Sequence, residues 1–293
     1  MDPAIPAYIH PSLISQAPPG HRFRLYFQGW DRARSWKPAW EKDEAGRKQK
    51  TKEEKKGDEK REALEHVAVL GEHDRRLLDG WRNRQLFQAL QLERRVQIFS
   101  AKSVAPFVTG MGLEHPLENG FAFLDPYGLP YLAGSGVKGV VRRAAEELAL
   151  FDSASSGWTM DAVWWLFGFD DRSAFFQPEP NDPNKEAEAI GKQRKLWKQA
   201  YRAWTLQPAS ESVAAFMRTA LPEELGKQWL DNPQGFLARL LEDQALRRSL
   251  HLRGSLCFWD VLPSPPRGAA PSRHHEPSLR PLLPERGPSG RLG

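Results

Sequence analysis

The spacing of apolar residues changes several times along this chain, and each change marks an element. Phe23-Arg24-Leu25-Tyr26-Phe27-Gln28-Gly29-Trp30 alternates well enough to predict a first strand. Leu77, Trp81, Leu86 and Leu90 recur at helical spacing, predicting a helix from Leu77 to Arg95, or a longer one from near Glu62. Arg95 to Val104 reads as a strand, Met111 to Gly120 as a loop and Phe121 to Leu124 as a short strand. Asp125-Pro126-Tyr127-Gly128 has turn composition. A helix is predicted from about Val137 to Leu150, with Val137, Val140, Val141, Ala144, Ala145 and Leu148 on its buried side. From Asp161 to Leu250 the pattern is largely helical. Trp164-Trp165-Leu166-Phe167-Gly168 is an apolar helix end with a glycine stop. Trp158, Trp164 and Trp165 read as core. Residues 177–185 form a loop, and Lys192 to Trp204 a basic amphipathic helix. Ser212 to Ala220, Pro222 to Leu230 and Pro233 to Leu246 read as further helices. Arg253 to Leu262 is the last strand. This order suits an α+β protein, an antiparallel sheet with helices on one face.

Three stretches stand outside that alternation. Residues 1–20 are rich in proline and small residues and read as an irregular lead-in. Residues 41–66 carry nine basic and nine acidic side chains and little apolar surface, as a solvated helix or disordered insertion would. Residues 263–293 include eight prolines and read as a disordered tail.

Charge changes the picture locally rather than globally. The 293 residues carry a formal net charge of +5, and the five Arg and two Glu of the tail account for +3 of it. Nucleic-acid binding would therefore have to rest on local patches. The single cysteine, Cys257, excludes an internal disulfide framework or cysteine zinc site and suits a reducing compartment. The N-terminus has no basic, apolar leader, and no stretch approaches the roughly 20 apolar residues of a membrane span. A cytoplasmic location is expected.

The densest chemistry lies at Gly134-Ser135-Gly136-Val137-Lys138-Gly139-Val140-Val141-Arg142-Arg143. Three glycines, a serine and three cations meet there at a predicted helix N-terminus. Free N–H groups and the positive end of the helix dipole attract phosphate. Glycine lets a polyanion approach the main chain. The run is not a P-loop, because Lys138 precedes the last glycine and Val140 follows it. Gly134, Gly136 and Gly139 match a dinucleotide spacing, but no run of βαβ units follows.

Gly128-Leu129-Pro130-Tyr131-Leu132-Ala133 together with the glycine run resembles the signature loop of the RAMP superfamily, RNA-binding proteins of CRISPR effector complexes. Ala133 stands where that family usually has proline. Gly112-Leu113-Glu114-His115-Pro116-Leu117-Glu118-Asn119-Gly120-Phe121 resembles a segment of the sixth RAMP subunits of type III-B (Cmr) complexes. Leu166-Phe167-Gly168 and Arg253-Gly254-Ser255-Leu256-Cys257-Phe258-Trp259-Asp260 sit where those subunits have a Leu-Phe-Gly turn and a Gly-x-Leu-x-Phe-x-Asp strand. The resemblance covers about 105–168 and 250–262. It implies a ferredoxin-like, RRM-related RAMP domain over 21–262, with the charged insertion at 41–66 and a helical insertion at about 170–250. It also implies a non-catalytic subunit without cofactor or metal, holding guide RNA near its 3′ end. Target RNA and other RAMP subunits would be its partners. The RNA-binding residues expected on this basis are Gly134, Ser135, Gly136, Lys138, Gly139, Arg142, Arg143, His115 and Asn119.

Two alternatives stay open: a ribonuclease of the same superfamily, and a nucleotide-binding enzyme using the glycine run as a phosphate cradle. For a nuclease, Asp125, Asp170, Asp171 and Asp260 are the possible metal carboxylates. Asp170-Asp171 reads as a loop pair and Asp260 as a strand-end cap. His115 is either a hydrogen-bonded loop histidine or an RNA or neighbour contact. His73 reads as surface, and His274-His275 lies in the proline-rich tail. The tail also departs from the resembled subunits, which continue with an Asp…Pro-His…Tyr-Tyr pattern. Codons compatible with Arg273 to Pro288, read one base later, can encode Asp-Ile-Met-Asn-Pro-His-Phe-Gly-Pro-Tyr-Tyr. A frameshift between about 262 and 272 is therefore expected.

Overall fold

The computed structural model describes residues 2–6, 8–38, 64–104, 109–110, 113–116, 120–180 and 185–264. Most of the charged insertion, Gly112, Asn119, His274-His275 and the tail from 265 lie outside the described residues. The chain divides into two compact units, 1–133 with 260–293, and 134–259.

In the first unit, strands β1 (Asp2–Pro3), β2 (Gln28–Asp31) and β3 (Lys37–Pro38) form a three-stranded antiparallel sheet, with β2 in the centre. Helices α1 (Pro11–Ile14) and α2 (Pro19–Arg24) connect β1 to β2. The strand expected at Phe23–Trp30 is present only from Gln28 onward, and Phe23–Arg24 end α2 instead. Pro19 opens α2 at its first turn, where its fixed φ and missing N–H cost nothing. Phe23 and Phe27, four residues apart, are both buried, a spacing that fits helical packing as well as alternation. Residues 64–68 (α3) and Glu72–Gln91 (α4) are helical, so the expected helix from Leu77 is present and extends upstream. It is not one continuous helix, because Val69 to Gly71 interrupt it. There the Asp74 carboxylate accepts from the Gly71 N–H at 3.0 Å and caps α4. Arg22 donates to the carbonyls of His66 and Val69 and holds the break. Strands β4 (Phe123–Leu124) and β5 (Leu129–Pro130) form a hairpin around the expected turn. Leu78, Leu129 and Leu262 centre the local core. Of the strand expected at 95–104, Arg95 ends a 3-10 turn (Glu93–Arg95) and 96–104 are irregular chain. β propensity alone makes no strand where no neighbour supplies a ladder.

The second unit is helical. It comprises α5 (Gly134–Phe151), α6 (Ser153–Ser156), α7 (Met160–Phe167), α8 (Lys185–Thr205), α9 (Glu211–Ala220), α10 (Glu223–Trp229), α11 (Pro233–Arg239) and α12 (Gln244–Ser249). The largely helical pattern from Asp161 to Leu250 is thus present. Side-chain caps start several helices: Thr159 for α7, Ser210 for α9 and Asn232 for α11. The single helix expected over Pro233–Leu246 is two, because the Asp243 side chain accepts from the Leu246 N–H and starts α12 afresh. Trp164, Phe175, Tyr201, Phe216 and Phe236 are fully buried at the centre, with Trp158 and Trp165 packed against them. Burial pushes the Tyr201 hydroxyl far up its titration range, and that hydroxyl donates to the Leu237 carbonyl at 3.2 Å.

Arg253–Leu262 is not a continuous strand. Its backbone groups bond the end of α7 instead: Ser255 N–H to the Trp165 carbonyl and Leu256 N–H to the Leu166 carbonyl. Isolated bridges join Gly168 to Arg253 and, in the first unit, Leu132 to Val261. The described sheets have three and two strands.

Candidate nucleic-acid interface

The glycine run is not a loop ahead of the helix but its first turns, since α5 begins at Gly134. This shifts the expected start at Val137 by three residues and places the positive end of the helix dipole at the glycine run. Gly134 is buried, because the backbone of Phe258–Trp259 crosses so closely that a Cβ would collide with the Phe258 carbonyl oxygen. Gly168 has φ +92°, which a side chain would strain, and its Cβ would lie 2.9 Å from the Gly254 nitrogen. A Cβ at Gly254 would in turn collide with the Phe167–Gly168 backbone. Three sequence-distant stretches, 134–139, 166–168 and 253–259, therefore meet in one unit, and Gly134, Gly168 and Gly254 allow the contact.

Gly136 and Gly139 differ. Both are exposed and helical, and a Cβ at either meets nothing within 4 Å. Nothing in the described structure requires glycine there, although glycine inside a helix costs up to about 1 kcal/mol relative to alanine. Together with Ser135 and Val140 they leave a low, exposed patch of backbone at the positive end of α5.

The expected cations occupy three different environments. Lys138 donates to the Leu256 carbonyl at 2.9 Å, a neutral partner that leaves its charge and remaining N–H donors for an anion. The Arg143 guanidinium carbon sits over the Trp197 ring, 3.5 Å from its centroid. Arg142 is buried. Its Nε donates to Glu146 Oε1 at 3.0 Å and its Nη2 to Ser173 Oγ at 3.0 Å, and Nη1 pairs with Asp170 Oδ2 at 3.1 Å. Ser173 Oγ donates to Glu146 Oε1 at 2.7 Å. Burial pushes the Asp170 carboxyl up, but the Arg172 N–H and the Arg142 charge outweigh it and hold the carboxyl below the usual range. Glu146, Ser173 and Trp197 were not singled out from the sequence, and Leu256 only as a strand residue. Arg142 and Glu146 carried a visible signal, an oppositely charged pair four residues apart.

The expected buried side of α5 is also corrected. Gly134, Arg142, Ala145, Glu146 and Ala149 are covered, while Val140, Val141 and Leu148 are exposed. Ala145 is buried as expected and joins Ala149 in the apolar core, while Arg142 and Glu146 share that inward face.

The remaining candidates lie in the first unit. His115 stacks on Phe23 with ring centroids 3.8 Å apart, and its Nε2 hydrogen-bonds the Phe23 carbonyl at 2.9 Å. Phe27 meets the same ring edge-on at 4.7 Å. Burial lowers the His115 pKa. Asp125 pairs with Arg24 at 2.9 Å, and the Asp260 carbonyl accepts from Gln85 at 3.0 Å.

A family model of the RAMP superfamily matches residues 100–259, more than half of the chain, and the chain belongs to that superfamily. The matched span contains all three converging glycine stretches. RAMP proteins are generally CRISPR-associated and bind RNA and other CRISPR subunits. No curated protein and no solved structure matches the chain. Among the described residues, no helix is long and apolar enough to cross a membrane.

Proposed function

We propose that this chain is a non-catalytic RNA-binding subunit of a type III-B (Cmr) CRISPR effector complex, holding guide RNA near its 3′ end beside other RAMP subunits and target RNA. Gly136 and Gly139 carry the proposal: they are exposed helical glycines with open space at the positive end of α5. An RNA backbone lying there meets main-chain N–H groups and the Lys138 ammonium while its bases stay free for pairing. The resemblance of 112–121, 166–168 and 253–260 to the sixth Cmr RAMP subunits supports the finer assignment. So does the family match, at the coarser level. A ferredoxin-like core and cytoplasmic location belong to the same proposal, as does a frameshift between about 262 and 272.

Binding of an unstructured single-stranded RNA, measured against salt, tests the function. Lys138→Ala should weaken binding and reduce the salt slope by about one charge. An unchanged slope removes that contact, and cleavage of the RNA by purified protein overturns the non-catalytic role. Sequencing the locus tests the frameshift. An intact frame, with no downstream frame encoding Pro-His…Tyr-Tyr, contradicts it.

A further inference from the structure

Helix α5 buries the more polar of its two faces. Arg142, Ala145, Glu146 and Ala149 are covered, whereas Val140 is 72% exposed, Phe151 45%, Val141 40% and Leu148 38%. Burial of apolar area favours the opposite roll, with the valines and Leu148 inward. A specific interaction must therefore hold the roll angle.

The network around Arg142 has the geometry to do so. One guanidinium reaches three acceptors. Glu146 lies one turn along the same helix, and Asp170 and Ser173 lie on the turn after α7. That turn is itself fixed: Asp170 accepts from the Arg172 N–H at 3.0 Å, and the Ser173 N–H bonds the Asp170 carbonyl. Rolling α5 by one residue position, about 100°, would carry Arg142 away from the 170–173 turn. Asp170 would then lose the Arg142 charge, and Ser173 its bonds to Arg142 and Glu146, which opposes the roll.

We infer that Arg142, Glu146, Asp170 and Ser173 are positioning residues that set the roll of α5 and so keep Gly136, Gly139 and Val140 turned outward. Arg142 acts through the helix and not on a phosphate. The link to RNA affinity rests on the proposed function above; the roll itself does not.

Thiol labelling separates the two. In a Cys257→Ser background, Val140→Cys should react as an exposed thiol and Ala145→Cys should be protected. Adding Arg142→Met with Glu146→Leu removes both charges together. The rolled helix should then slow labelling at position 140 and speed it at 145. Unchanged rates at both positions, with helical circular dichroism retained, overturn the inference. Ser173→Ala removes the hydroxyl's bonds to Arg142 and Glu146 without altering charge and serves if the double replacement does not fold. It should raise labelling at 145, and an unchanged rate again overturns the inference. On RNA, Arg142→Met with Glu146→Leu should lower affinity at an unchanged salt slope. A slope shallower by about one charge would make Arg142 a phosphate contact and sink its positioning role. If the parent protein binds no RNA, the proposed function fails while the labelling result still decides the roll.

Discussion

Arg142 faces inward onto Glu146, Ser173 and Asp170, while its neighbour Arg143 stacks on Trp197. Because buried Glu146 and partly exposed Asp170 both pair with Arg142, Arg142→Met alone should cost about 3–5 kcal/mol in urea unfolding. The i, i+4 spacing of Arg142 and Glu146 is a signal in the sequence, although Arg142 was expected to contact RNA. Ser173 and Asp170, some thirty residues away, carry no such signal, because no local pattern announces which turn a buried guanidinium will reach. His115 makes a different prediction. Its folded-state pKa lies below the ordinary value, so the unfolded chain takes up the proton first. Its stabilising contribution is complete above about pH 6.5 and is lost as pH falls through the folded value. The urea midpoint should drop on acidification below that point, and His115→Phe should flatten the drop. Asp170 loses its contribution further down, below about pH 3.9, as its depressed pKa is approached.

The elements most legible in the sequence were those set by local chemistry: the α4 periodicity, the turn at 125–128, the glycine stop after α7 and the helices beyond it. Those misread depended on partners. The first half of 23–30, 95–104 and 253–262 alternate as strands do, but the last bonds the carbonyls that end α7 rather than a ladder. The roll of α5 was misread for the same reason, since a polar network outweighs the apolar stripe. Gly254 shows how tightly the 253–256 segment seats. Gly254→Ala forces a Cβ into the Phe167–Gly168 backbone and should cost about 1–3 kcal/mol by thermal or urea unfolding. Gly136 and Gly139 sit in the same helix with open space, and the same substitution there has the opposite sign.

Across the whole molecule, charge says little and convergence says more. Net charge is +5 and concentrated in the tail, yet residues 253–259 run against both the end of α7 and the start of α5, joining three stretches spread over 134–259. That meeting was legible as a set of motifs belonging to one family, and the match over 100–259 agrees. Its geometry was not, because close backbone approach leaves only glycines in the sequence, and glycine alone does not say whether its neighbour is this chain or another molecule. The structure separates the two kinds: Gly134, Gly168 and Gly254 face this chain, Gly136 and Gly139 face outward. The most direct measurement is therefore Gly136→Ala with Gly139→Ala, read for unfolding stability and for single-stranded RNA affinity in one preparation. The two alanines should raise stability by about 1–2 kcal/mol from helix propensity and weaken RNA binding by crowding the exposed backbone. A more stable protein that binds RNA as tightly as before would contradict the claim that RNA lies along these glycines.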